Sequence, residues 1–283
     1  MSTITTLTLY PIKSCAGISL QAAIITAAGL SHQHVHDREW MVVDQAGQFL
    51  SQRSHPVMAL IVPSLQADSM TLQAPGMAPL EIPTVQPEAA QAASMDVTIW
   101  DSSLSARDCG DAAAGWFSQV MGQSCRLVRF DPEARRLASK KWTLDVDAPT
   151  RFADGYPVLL ISQGSLDDLN QKLQAQGSAA LPMNRFRPNI VIDGVDPFEE
   201  DFAAIIQAGA ARLQPVKPCT RCPIPSIDQA TGKFGPDPMD ILLTYRGNPR
   251  VDGAVTFGVN ALLLEGAGEI LHIGQSIELE LDF

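Results

Sequence analysis

Positive charge is what this sequence most lacks. Its 283 residues carry 20 Lys and Arg against 31 Asp and Glu, a net charge of -11. No basic stretch is present to neutralise phosphates, which argues against a nucleic-acid-binding protein and against residence on an anionic membrane surface. Long apolar runs are missing too: none approaches the roughly 20 residues needed to span a bilayer. Met1-Ser2-Thr3-Ile4 has neither the basic nor the apolar region of a signal peptide. There is no G-x-G-x-x-G and no P-loop, so the common nucleotide cradles are excluded. Repeats, heptads and low-complexity segments are also absent. The five cysteines form no regular framework, which predicts a reducing compartment and a cytoplasmic protein.

What is present is ample apolar content. Hydrophobic residues make up 46% and charged residues 18%, enough for an ordered core and for two modest domains or one large one. The pattern is of short strands punctuated by Gly and Pro, with a few helices between them. Trp40 to Asp44 and Gln48 to Ser51 flank Gln45-Ala46-Gly47, a hairpin signal. Ala59 to Gln66, Met70 to Gln73, Leu80 to Ile82 and Val97 to Trp100 read as strands, with a surface loop over Thr84 to Ser94. Asp108 is a candidate cap for a helix over Asp111 to Met121 that Gly122 ends. Ser165 with Asp168 resembles a capping box ahead of the stripe Leu166, Leu169 and Leu173, which Gly177 terminates. Asn189 to Ile192, Phe257 to Glu265 and Ser276 to Leu281 complete a strand-rich α+β chain, closer to barrels or sandwiches than to a parallel doubly wound sheet.

Four segments place polar or charged residues in apolar, strand-rich surroundings. Tyr10-Pro11-Ile12-Lys13-Ser14-Cys15 offers an ammonium, a hydroxyl and backbone donors to an anion, or is an exposed turn. In His36-Asp37-Arg38-Glu39-Trp40, Arg38 is either a surface ion pair or a bidentate phosphate or carboxylate contact. His32, His34 and His36 alternate as on one strand face, a spacing that suits a metal or a solvated loop. Asn184-Arg185-Phe186-Arg187-Pro188-Asn189 is a dense donor set feeding a hydrophobic strand, or a set of interdomain salt bridges. The fourth is Cys219-Thr220-Arg221-Cys222. Thiolates are soft ligands for redox metals, and a nearby guanidinium favours the thiolate. One C-x-x-C cannot fill a four-thiolate site, and neither a second one nor H-x(3–5)-H exists. Two packed structural thiols are the alternative.

Taken together, and in this order, Tyr10 to Ser14, Asp37 to Trp40, Arg107-Asp108-Cys109-Gly110-Asp111, Asn184 to Asn189 and Cys219 to Cys222 resemble the MOSC-domain family. The likeness is to the branch of the mitochondrial amidoxime-reducing component and its bacterial relatives, and it runs nearly end to end. It implies an N-terminal MOSC β-barrel domain over residues 1–125 and a MOSC β-barrel domain with a few flanking helices over residues 126–283. It also implies a molybdenum–pterin cofactor, with Cys222 as metal ligand and catalytic residue and with Lys13, Ser14, Arg38, Arg187 and Asn189 as cofactor-binding residues. At the level of the family alone it carries an association with pyridoxal phosphate binding.

The implied activity is reduction of small N-hydroxylated substrates with electrons from a separate flavin, haem or iron–sulfur reductase, without nucleic acid or membrane as partner. The sequence departs from some relatives in having no N-terminal apolar helix and no ferredoxin-like domain after Phe283. Tyr156, in Asp154-Gly155-Tyr156-Pro157, stands where mammalian members have serine. A non-catalytic cofactor or sulfur carrier using Cys219 and Cys222 is the rival reading. A thiol oxidoreductase is disfavoured for want of a thioredoxin-like βαβ unit.

Overall fold

The computed structural model describes residues 1–85 and 93–282. Among these the chain forms 19 strands and four α-helices, arranged as one eight-stranded sheet, two four-stranded sheets and one three-stranded sheet. The fold is strand-rich, as its short Gly- and Pro-bounded apolar runs predict.

The large sheet is mostly made by the C-terminal half, yet its last two strands are Thr3–Leu9 and Ile18–Leu20. Leu7 sits opposite Ile190 in an antiparallel pair. Val158–Ser162 and Ile190–Asp193 run parallel, and such a pair needs a crossover, here containing the helix Gln163–Ala175. The reverse exchange occurs at the other end of the chain, where Ile270–His272 pairs with Ala22–Thr26 of an N-terminal sheet. The halves therefore interlock. One hydrophobic cluster runs through both, from Ile4, Leu7 and Leu127 to Leu160, Ile190 and Leu213.

Cys125–Phe130 pairs with Trp40–Asp44 on one edge and with Ser102–Asp108 on the other. A divide between residues 125 and 126 would fall inside this strand.

Several local expectations are refined. The hairpin after Trp40–Asp44 closes through the Asp44 carboxylate, which accepts from the N–H of Ala46 (2.8 Å) and of Gln48 (2.9 Å). Its second arm is reduced to isolated bridges at Gln48 and Phe49. Pro56 starts a 3-10 turn over Pro56–Leu60, so the strand expected from Ala59 begins at Val62. The helix Asp111–Met121 is capped by Gly110 rather than by Asp108. The Asp108 carboxylate instead accepts from Gly110 N (3.1 Å) and Arg126 Nε (2.8 Å).

The next helix begins directly after its strand, so Ser162 is the cap and accepts from Ser165 N at 3.1 Å. Ser165 lies inside the helix, fully buried, and its hydroxyl donates to the Glu200 carboxylate at 2.8 Å. Leu166, Leu169 and Leu173 face a second core cluster with Phe186 and Phe257, as their spacing predicts. Of the loop expected over Thr84 to Ser94, residues 86–92 lie outside the described residues.

Gly258 lies inside the strand Thr256–Glu265, which pairs with Val158–Ser162. Its φ is +73°, and a Cβ there would lie 2.8 Å from Leu160 O and 2.6 Å from Ile161 Cγ1. Both the backbone conformation and the space favour glycine. Gly258→Ala is expected to destabilise the protein by about 2–4 kcal/mol through forced displacement of a packed strand. The check is a lowered urea midpoint with unchanged slope; a shift below about 0.5 kcal/mol would show that the neighbouring strand yields freely.

Candidate functional site

Four segments meet at one cleft. The chain leaving Thr3–Leu9 brings Lys13 and Ser14, and the turn before Trp40 brings Arg38. The loop before Ile190 brings Arg187 and Asn189, and the strand Ala211–Thr220 runs into Cys222. All six residues singled out in the sequence line this cleft, which encloses about 830 Å³ of space, part of it open to solvent.

Its floor is organised by Asp37, only 2% exposed. One carboxylate oxygen accepts from Tyr10 N (2.9 Å) and Asn189 Nδ2 (2.9 Å), and the other accepts from Arg38. Asn189 is fully engaged: Oδ1 accepts from Leu159 N (3.1 Å) and Arg38 Nη1 (3.0 Å), while Nδ2 also donates to Thr8 O (3.2 Å). It therefore acts as a strut for Arg38 and has no spare donor for a direct ligand contact.

The guanidinium groups of Arg38 and Arg187 both lie against the Tyr10 ring, at 4.4 and 4.3 Å from its centroid. Among the described residues the Arg187 guanidinium makes no hydrogen bond or ion pair, although the residue is 8% exposed. A buried cation with open donors calls for an anionic partner.

Ser14, Arg38 and Arg187 all hold left-handed backbone, with φ of 66°, 48° and 57°. Each such residue costs on the order of 1–2 kcal/mol, and each is fixed by its neighbours. Gln52 Nε2 donates to Ser14 O (2.7 Å), Arg38 N donates to Tyr10 O (2.7 Å), and Phe152 N donates to Arg38 O (2.9 Å).

Lys13 is 5% exposed and donates to Phe152 O (2.9 Å) and to the Asp154 carboxylate, leaving one of an ammonium's three donors. Burial lowers its pKa to about 8, an effect Asp154 opposes. Six cationic side chains, Lys13, Arg38, Arg53, Arg185, Arg187 and Arg221, line the cleft with Asp154, and the Asp37 and Asp228 carboxylates pair with Arg38 and Arg185 behind it. In a chain of net charge -11, this is a local reversal of sign.

Arg221 favours the Cys219 thiolate, as its position in the sequence suggests, and it also braces the backbone. Its Nε donates to Phe257 O (2.9 Å) and its Nη1 to Phe186 O (3.0 Å), which holds the loop that carries both thiols. Burial raises the pKa of the Cys219 thiol, with Arg221 pulling the other way. Cys219 and Cys222 both line the cleft.

Among the described residues no three His, Cys, Asp or Glu side chains converge as a metal site. A metal in the cleft would draw at most a thiolate or two from this chain and the rest of its ligands from a non-protein group. A molybdenum–pterin group fits that donor set: a soft cysteine sulfur in one cleft with the unpartnered Arg187 guanidinium, which suits a phosphate. The Arg107 to Asp111 segment does not join the cleft; it opens the helix Asp111–Met121. The alternating histidines lie in the hairpin strands Gly29–His32 and Val35–His36 and its turn, also away from it. Sequence reasoning gave no role to Arg53, Arg185 or Asn260. Arg185 lay inside a quoted motif, whereas Arg53 and Asn260 carry no local signal.

Residues 1–124 match the MOSC N-terminal beta barrel domain and residues 147–278 the MOSC domain. Mitochondrial amidoxime reducing component 2 of Bos taurus is 34% identical over 250 residues, covering 87% of this chain and 73% of the relative. The chain belongs to the MOSC-domain family. Mitochondrial amidoxime-reducing component 1 of Mus musculus is 35% identical over 250 residues, 87% of this chain and 72% of that one. The molybdenum cofactor sulfurase of Bos taurus is 34% identical over 270 residues, 90% of this chain but 30% of that protein. Among the described residues no helix is long and apolar enough to cross a membrane.

The environment of Lys13 in this MOSC protein gives a titration test. After reductive ¹³C-methylation, one lysine signal is expected to titrate near 8, to vanish in Lys13→Gln, and to move lower in Asp154→Asn. Because the folded pKa lies below the unfolded value of 10.5, the fold is penalised for the buried proton. That penalty is fully present below pH 8 and fades as pH rises from about 8 to about 10.5. A Lys13 signal titrating above 10 would show an ammonium open to water.

Proposed function

We propose that this MOSC protein is an oxidoreductase that reduces N-hydroxylated compounds (amidoximes, hydroxylamines, N-hydroxylated base analogues) with a molybdenum–pterin cofactor held in the cleft. The observation that carries the reading is the convergence of Cys222 with the unpartnered Arg187 guanidinium and the buried Lys13 ammonium on one cationic cleft. Cys222 supplies the protein thiolate to the metal. Lys13, Ser14, Arg38 and Arg187 hold the pterin and its phosphate, and Asn189 and Asp37 fix Arg38 for that contact. When bound, the group supplies two-electron redox chemistry for reductive cleavage of an N–O bond.

The chain's own contribution is positional and electrostatic. Its cationic wall holds an anion that the global charge repels, and the stacked Tyr10 keeps two guanidiniums in place. Electrons come from a separate protein, and the cytoplasm is the proposed compartment. Expression in a cofactor-competent host should give near-stoichiometric molybdenum and pterin. Protein that is folded but free of both would overturn the reading.

A second reading, a cofactor or sulfur carrier, is favoured by one observation: Cys219 shares the cleft with Cys222. The likeness to a molybdenum cofactor sulfurase is compatible with it. A carrier would hold persulfide sulfur and show no turnover, whereas the enzyme should hold molybdenum and reduce benzamidoxime.

Cys222→Ala should lose both metal and turnover, while Cys219→Ala is milder; the reverse pattern would reassign the ligand. Arg187→Met keeps volume and loses charge, so cofactor affinity should fall about tenfold to hundredfold, the equivalent of roughly 1.5–3 kcal/mol. Outright unfolding of that variant would mark Arg187 as chiefly structural. With NADH as the only reductant the protein should be inert, and it should turn over with a chemical donor or an added reductase chain. NADH-driven turnover by the protein alone would overturn the proposed supply of electrons.

A further inference from the structure

A second cavity lies behind the segment Thr150–Asp154. Ala153 and Asp154 line the cleft, whereas Thr150 and Arg151 line this other space of about 1340 Å³, part of it open to solvent. Four guanidiniums border it, Arg129, Arg135, Arg136 and Arg151, against two carboxylates, Glu39 and Asp68. Three of the four are engaged. Arg129 Nε donates to Glu39 at 2.7 Å, and Arg135 pairs with Asp147. Arg136 donates to the carbonyls of Arg151 (2.8 Å) and Asp154 (3.0 Å).

Arg151 is the exception. Its guanidinium lies 5.8 Å from the Phe130 centroid and makes no hydrogen bond or ion pair among the described residues, and its Nε is buried without a partner. On the same cavity, Nδ1 of His36 is also buried without a partner. Both atoms lie beneath the cavity wall, out of reach of a guest, so a ligand would be met by the terminal nitrogens of Arg151 and by Nε2 of His36, which make no hydrogen bond among the described residues. Of the remaining lining, Phe130, Pro132, Ala134 and Pro149 form an apolar part, and His34, Thr84 and Thr150 are polar.

We propose that this cavity binds an organic anion, a carboxylate or phosphate group on an apolar body, gripped by Arg151 and His36 with the body against Phe130 and its proline neighbours. A planar fork with open donors suits either oxyanion. A neutral imidazole adds one more N–H donor. The surplus of guanidinium over carboxylate favours negative charge over a cation or a neutral guest.

Burial, reinforced by Arg151, holds the empty-state pKa of His36 down to about 4, while Glu39 works against this and Arg129 and His34 work with it. A bound anion adds negative charge beside the ring, so it raises that pKa, and by linkage it binds more tightly as pH falls from about 6 towards 4, through the bound and then the free value.

The test is NMR of the His36 ring in the full chain, titrated with phenyl phosphate, benzoate and inorganic phosphate. Phenyl phosphate or benzoate should move the His36 signals saturably and raise its pKa by about a unit. The stronger of the two identifies the anionic group. Arg151→Met, which removes no hydrogen bond among the described residues, should weaken binding at least about tenfold, with Arg151→Lys intermediate. Arg187→Met, in the other cleft, should leave the titration unchanged. The proposal is overturned by the absence of a saturable shift at millimolar ligand, or by equal binding in wild type and Arg151→Met. Inorganic phosphate binding as tightly as phenyl phosphate would overturn the apolar half of it.

Discussion

The buried carboxylate of Asp37 holds three parts of the chain in register. It accepts from the backbone of Tyr10 at the end of the first strand, from the side chain of Asn189 at the mouth of another, and from its own neighbour Arg38. Two of these partners lie 27 and 152 positions away in sequence. A carboxylate at this depth is tolerable only when paired and fully hydrogen-bonded, and the pairing sets the direction of Arg38. The left-handed conformation of Arg38 follows from the same contacts, because its N–H and C=O are both tied to other segments. Strain of this kind persists where the surroundings over-determine it. Remove the carboxylate, and Arg38 becomes a buried charge without a counter-ion beside a second guanidinium.

The position of the cleft follows from the exchange of strands between the halves. Thr3–Leu9 enters the C-terminal sheet beside Ile190–Asp193, so the segment after it, with Lys13 and Ser14, emerges where the loop before Ile190 also emerges. The Cys219–Cys222 loop reaches the same place from Ala211–Thr220, and Arg221 pins it to the carbonyls of Phe186 and Phe257. Those two rings pack at 4.3 Å between centroids. The thiols are thus mounted on the core beneath the helix Gln163–Ala175, together with Arg187, while Lys13, Arg38 and Arg53 come from the opposite half. A site made at such a seam is as rigid as the contacts that close it.

Much of this was legible in the sequence, for a physical reason. Charged residues within apolar, strand-forming stretches must either be paired or face a ligand, and the motifs around Lys13, Arg38, Arg187 and Cys222 stood out on that ground. The strand-rich character and the helical leucine stripe were likewise visible as periodicity. Capping was less so. Ser162 ends a strand and starts a helix with no loop between, so Ser165, whose hydroxyl serves Glu200, looked like the boundary residue. The sequence shows the electrostatic pull of Arg221 on a neighbouring thiol, but not its bonds to the carbonyls of Phe186 and Phe257, because adjacency says nothing of where a long side chain points. Asn260 and Arg53 reach the cleft only through tertiary placement, which no local pattern encodes.

The charge at the cleft bears on the protein's stability as well as its chemistry. Arg187 is 8% exposed and Lys13 5%, and neither burial is fully offset: among the described residues Arg187 has no ion-pair partner, and the Lys13 ammonium holds its proton less tightly than in water. Desolvated positive charge of this kind opposes folding. An anion entering the cleft would supply the missing partner for both groups, so the free energy of binding would appear in part as free energy of folding. The same argument explains why the chain's strong net negative charge is no obstacle. Acidic groups elsewhere on the surface are screened over about 8–10 Å in physiological salt, whereas the cations of the cleft act at contact distance in a medium of lower dielectric. Local preorganisation decides the sign of the ligand, and the global charge affects chiefly the rate of its approach.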